Sequence, residues 1–87
     1  MDDDKDHKPQ KGIPTWDGNP ATWESYRRKA ILYIEGTEHH QRYLCGTRLE
    51  SNLDRAAEEA CIGKLPGWLG DYWGGHRLIR FLGSNLA

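Results

Sequence analysis

Between Pro20 and Gly36 the apolar residues Trp23, Tyr26, Ala30, Tyr33 and Ile34 recur at steps of three and four, and Ile31 widens the stripe. That period lays one buried face along an α-helix and does not fit the two-residue alternation of a strand. No other segment combines strand alternation with turn spacing, and no repeat of 20 to 50 residues is present. The chain is therefore expected to be all-α: a small bundle of three to four helices with an extended N-terminal lead-in.

Turn and capping residues set the expected boundaries. Asp17-Gly18-Asn19-Pro20 is turn chemistry. Asn19 is suited to cap a helix and Pro20 to occupy its first position, so the first helix covers about residues 20–35, with Gly36 ending it. Trp16, just before the cap, can fold back on the first turn as a hydrophobic staple does. Residues 37–45 form a short helix or a turn, capped by Thr37 and broken by Gly46. Thr47 and Glu50 have capping-box spacing. Leu49, Leu53, Ala56, Ala57, Ala60 and Cys61 then predict a second helix over about 48–62, closed by Gly63. Its small Ala56, Ala57 and Ala60 would let another helix approach closely. Residues 64–70 read as a loop tucked down by Trp68 and Leu69. Asp71 is placed to cap a last helix with Trp73, Leu78, Phe81 and Leu82 inward. Gly74-Gly75 weakens its first turn by about 1 kcal/mol per glycine relative to alanine.

The length of 87 residues suits one domain with a thin core. Four Trp, four Tyr and one Phe supply much of its burying area. Residues 1–12 are expected to be a charged flexible tail, in which residues 2–5 look like part of an expression-tag cleavage site. Residues 13–87 are expected to be a single small helical domain. That part carries nine Lys/Arg and nine Asp/Glu, without the basic excess of a duplex-binding domain. No apolar run approaches the roughly 20 residues that cross a bilayer. The N-terminus is neither a signal peptide nor a transit peptide, so the expected location is intracellular, the cytoplasm first, with an organelle left open. Arg27, Arg28 and Lys29 fall between the buried positions of the first helix. They read as a solvated face, with a phosphate or acidic-partner contact as the sharper alternative. Glu24 is spaced to pair with Arg28.

Few residues carry a chemical signal. Cys45 and Cys61 read first as small buried hydrophobes, with a bridge or a redox role as alternatives. His39, His40, Cys45 and Cys61 are the only set resembling metal ligands, and they lack C-x-x-C and H-x₃-H spacing. Cys45 beside His40 has no orienting group for nucleophilic catalysis. Asp54, Glu58 and Glu59 lie on a helix exterior, where nothing splits their pKa values. Gly74-Gly75-His76 and Gly63-Lys64 lack a phosphate-loop frame. The expectation is a non-enzymatic chain with no metal, no cofactor and no catalytic residue.

Residues 13–87 resemble the amino-terminal capsid-like region of Gag polyproteins from copia-like long-terminal-repeat retrotransposons. The first matching block is PTWDGNPATWESYRRKAILYI (14–34), similar to the family's P-x-(W/F)-D-G-(D/N)-P-x-x-(W/F)-x-x-(Y/F) opening. The second is HHQRYLCGTRLESNLDRAAEEACIGK (39–64), a G-x-R-L step into a Leu/Ala-rich helix. The third is WLGDYWGGHRLIRFLGSNLA (68–87), where a glycine pair leads into L-x-x-x-L. The resemblance implies an all-helical fold, no catalytic residues, self-association into particles, and RNA held only indirectly. It admits a domesticated copy of the algal or dinoflagellate type. The family continues into a second helical lobe where this sequence ends, and no zinc knuckle, protease, integrase or reverse-transcriptase segment is present, which points to a fragment or a domesticated remnant.

Two functions follow as expectations. One is a capsid-like module that binds copies of itself. The other is an accessory subunit docking on a larger complex, a membrane complex included, with residues 13–19 and 64–72 laid along the partner. The candidate interaction residues are Trp16, Arg27, Arg28, Trp68, Tyr72 and Trp73.

Overall fold

A computed structural model describes residues 12–87, and the expected tail before Gly12 lies outside the described residues. The described part is all-α: α1 (Trp23–Glu35), α2 (Cys45–Ser51), α3 (Arg55–Ala60) and α4 (Gly74–Leu86). Single 3-10 segments, Pro20–Thr22 and His39–Leu44, lead into α1 and α2. No strand forms among the described residues, and an isolated parallel bridge joins Trp16 to Leu53. α4 packs against α1, α2 and α3, most extensively against α2. Ile34, Cys45, Leu49, Leu69, Leu78 and Leu82 are almost wholly enclosed at the centre.

The start of α1 follows its local chemistry. Asn19 Oδ1 accepts from the Ala21 N–H at 2.9 Å, and Pro20 fills the first position. Tyr26, Ala30 and Ile34 are buried while Trp23, Ile31 and Tyr33 pack at the margin, so the expected stripe does face the core. Trp16 folds back as a staple does: its ring lies 4.9 Å from Trp23 and 5.5 Å from Tyr26. Its Nε1–H donates to Asn19 O and Thr22 Oγ1. Gly18 is where the lead-in meets α3. A Cβ there would stand 2.7 Å from the Ala57 backbone nitrogen, and φ is +93°, so only glycine fits.

Several expectations are corrected. The single helix over 48–62 is two, α2 and α3, broken at Asn52-Leu53-Asp54. The lead-in competes for that backbone. Asp54 N–H donates to Trp16 O at 2.9 Å, and Thr15 Oγ1 donates to Asn52 O. Asn52 Nδ2 turns back to Arg48 O, Asp54 Oδ1 accepts from Arg55 N, and Arg55 adopts φ +50°. Asn and Asp supply the local bonds that make such a break tolerable. Thr47 is not a cap, because the 3-10 segment runs directly into α2 at Cys45; Thr47 O instead accepts from Ser51 Oγ. Gly46 likewise does not break the chain. It is a buried residue of α2 whose missing side chain admits α4. Thr37 closes α1, donating from Oγ1 to Tyr33 O at 2.8 Å, and does not cap the following segment. Trp73 is not inward: it is 60% exposed.

The small residues were also expected to seat a helix. Ala57 is buried and α3 packs on α4, and a second close approach lies between Gly46 and Gly74, where α2 and α4 meet backbone to backbone. Glu24 reaches Arg27, three residues on, at 4.0 Å rather than Arg28.

Candidate interaction surface

The turn before α4 projects its aromatic residues outward because one carboxylate organises it. Asp71 Oδ1 accepts from Trp73 N–H at 3.0 Å, and Asp71 O accepts from Gly74 N–H at 3.0 Å. Asp71 Oδ2 pairs with Arg77 Nη2 at 2.9 Å, and Arg77 Nη1 donates to Trp68 O at 2.7 Å. The Arg77 hydrogen bond holds the Asp71 carboxyl below its ordinary range. Asp71 therefore ties the turn ahead of α4 and is not the cap that its position in the sequence suggested: Trp73 stands at the cap, with no side-chain bond to the helix.

Arg42 fixes the other side of this corner. Its Nε donates to Thr37 O, its Nη2 to Glu35 O and its Nη1 to Tyr72 OH at 3.0 Å. A cation among carbonyls at the end of α1 suits the helix dipole. Tyr72 OH also lies 2.8 Å from His39 Nδ1, with the two ring planes within 12° of each other. The Trp73 ring stands edge-on to Tyr72 at 4.8 Å and 5.4 Å from His76. Trp73 is thus a large apolar side chain held on a rigid base and left open to solvent.

From Trp73 the surface continues along α4. His76 and Arg80 follow at i+3 and i+7, so the three share one helix face. Opposite them Trp23, Arg27 and Ile31 rise at four-residue steps along α1. His76 and Arg80 on one side and Trp23, Arg27 and Ile31 on the other, together with Ile79, Gly83 and Ser84, line an open groove of about 440 Å³. Its size falls within the roughly 300–1,000 Å³ of ligand pockets. Trp23 lies against Gly83, where an added Cβ would be 2.9 Å from its ring. The His76 Nδ1 beside this groove is buried and makes no hydrogen bond.

The structure divides the sequence-predicted residues. Tyr72 and Trp73 stand together, and Trp68, half-buried, joins them through Arg77. Arg27 lines the groove, whereas Arg28 lines an adjoining hollow with Lys29 and Leu32 that shares Arg27 and Ile31 with it. Trp16 is removed from the set: at 4% exposure it is core, and the lead-in that carries it is bound to the fold. Sequence reasoning singled out neither Arg42 nor Arg80, and took His76 only as part of a glycine-rich string. The signal for His76 and Arg80 was their spacing from Trp73, which matters only once Trp73 is known to face outward.

The remaining candidates do not converge. Cys45 and Cys61 are both buried and free. Burial, with Glu50 adding and Lys64 opposing, pushes the Cys61 thiol up to about 11. The Tyr26 hydroxyl, enclosed without a hydrogen-bond partner, is raised by the same loss of solvent and by Cys61. His40 faces Glu38 at 3.5 Å while His39 faces Tyr72, so the adjacent histidines diverge. Among the described residues no three His, Cys, Asp or Glu gather in a way that could hold a metal ion. Nor is any helix there long and apolar enough to cross a membrane. No family model matches the chain, and searches of curated proteins and of solved structures find no similar protein.

Proposed function

We propose that the chain is a non-enzymatic assembly module, of the kind its resemblance to a copia-like Gag capsid region implies, and that it binds copies of itself through the α1–α4 face headed by Trp73. The observation that carries this reading is a tryptophan 60% exposed on a braced turn, its ring against His76, which lines a groove of apolar residues and two arginines. Large exposed aromatics on rigid supports are the residues from which interface hot spots are made. The even balance of charge past residue 12 gives copies no net repulsion to overcome. RNA would be held only indirectly, through the assembly.

Sedimentation over a range of concentrations tests this. The wild-type mass average should rise with concentration, and Trp73→Ser should suppress the rise while leaving the helical circular dichroism unchanged. A wild type that stays monomeric at millimolar concentration overturns the reading. Leu65, 78% exposed in the loop before α4, favours the second reading of a subunit docked on a different protein. A monomer that needs Leu65 to hold a defined heterologous complex would put that reading first.

A further inference from the structure

We infer that the groove between α1 and α4 receives the α3 corner of a second copy, with Ile62 entering the apolar floor and Glu58 and Glu59 meeting Arg80 and Arg27. The inference rests on the self-association proposed above and names the two surfaces that join.

The groove offers two kinds of contact. Its floor is apolar, formed by Trp23, Ile31 and Ile79. Its walls carry one guanidinium each, Arg27 from α1 and Arg80 from α4. Arg80 is exposed and makes no ion pair among the described residues. Arg27 has a single acidic neighbour, Glu24, at 4.0 Å, and both side chains are largely in solvent. That contact is long and open enough to be exchanged for a better one. The unpaired His76 Nδ1 adds a polar atom beside the same groove.

The α3 corner presents the complement. Glu58 and Glu59 are exposed and carry no ion pair among the described residues. The chain keeps turning after them, with Cys61 N–H donating to Glu58 O and Ile62 N–H to Glu59 O, each at 3.1 Å. Ile62 therefore stands one turn beyond the two carboxylates, and it is 76% exposed. Lys64 does not neutralise the corner from its own side. Its Nζ lies 4.4 Å from the centre of the Phe81 ring and 5.1 Å from that of Trp68, turned onto the protein. An apolar side chain flanked by two free carboxylates is what an apolar groove flanked by two guanidiniums selects, through opposite charge and desolvation together.

Groove and corner share no residue, so one copy uses both at once. Repeated in one direction the contact is head to tail and builds rings or open chains, and in any arrangement it joins two different surfaces. This makes the pairing separable from any other mode of association. Arg27→Glu with Arg80→Glu spoils only the groove, and Glu58→Arg with Glu59→Arg spoils only the corner. Each double variant should weaken self-association at least about tenfold in sedimentation equilibrium. Mixed in equal amounts, the two should associate and grow again, because the intact corner of one meets the intact groove of the other and the two reversed surfaces also carry opposite charge. All four reversals in one chain should restore concentration-dependent growth. The wild-type helical signal, checked in every variant, separates lost contact from lost fold. A wild type that associates as strongly as both double variants overturns the pairing and leaves the self-association reading standing. Double variants that lose association and do not regain it when mixed also overturn it. A strictly monomeric wild type overturns both together.

Discussion

Cys61 and Tyr26 are acids that the fold keeps protonated. The Cys61 thiol moves from 9.0 in the open chain to about 11 when folded, so the folded state holds that proton more tightly. Its stabilising share is complete below pH 9 and is lost as pH climbs towards 11. Tyr26, raised from 10.0 by burial, extends the loss to higher pH. The urea midpoint should therefore fall steadily from pH 9 to pH 11. Cys61→Ala removes the first contribution, so its midpoint should fall less over that window even if its starting value is lower. Equal slopes for the two proteins would show that the thiol is not the group responsible. The same titration argues against Cys61 as a nucleophile near neutrality, because the reactive thiolate is scarce there.

At the scale of elements, a glycine inside a short helix reverses the usual rule. In an open helix, glycine to alanine stabilises by about 1 kcal/mol. At Gly46 the new Cβ would lie 2.7 Å from the Gly74 carbonyl carbon and 2.7 Å from Leu69 O, both backbone atoms with nowhere to go. Gly46→Ala should therefore destabilise by about 1–3 kcal/mol, measured as a lower urea midpoint. Gly36→Ala, whose Cβ would meet Leu32 O at 3.3 Å and Tyr33 O at 3.8 Å with nothing closer, is the control and should change little. Gly46 also shows where the sequence stops being readable. α1 and α4 were legible because each carries its own apolar stripe, although the start of α4 at Gly74 was not marked by the expected Asp71 cap. The role of Gly46 was not, because glycine as a helix breaker and glycine as a backbone contact look the same until the partner is in place. The split between α2 and α3 was hidden for a related reason. It depends on Trp16, which pairs with Leu53 across 37 residues, while the local spacing alone supports one continuous helix. In the candidate surface the aromatics themselves were visible, but which of them pointed outward was decided by Asp71 and Arg42. Of the tryptophans in the candidate set, Trp73 faces outward, and Trp16 leaves the set because its ring packs on Trp23 and Tyr26.

For the whole molecule, the charge pattern determines how association should respond to salt. Residues 13–87 carry nine cations and nine anions, so there is no net field for salt to screen. Any salt dependence must come from specific pairs. Two exposed pairs at about 0.2–1 kcal/mol each amount to roughly two- to thirtyfold in Kd. The screening length falls from about 10 Å at 0.1 M salt to about 3 Å at 1 M. Self-association should thus weaken as sodium chloride rises over that range, by a factor within those bounds. Burial of Trp73 and Ile62 responds in the opposite sense to sulfate, which strengthens apolar contacts. Chloride and sulfate titrations at matched ionic strength should therefore separate, with the sulfate series the tighter. The Arg27→Glu, Arg80→Glu protein has lost the attractive pairs, and whatever association it retains should no longer weaken with chloride. If wild-type association is indifferent to chloride, the arginines are bystanders and the aromatic corner alone holds the copies together. If it weakens as strongly in the double variant as in the wild type, the charges that matter lie elsewhere on the molecule.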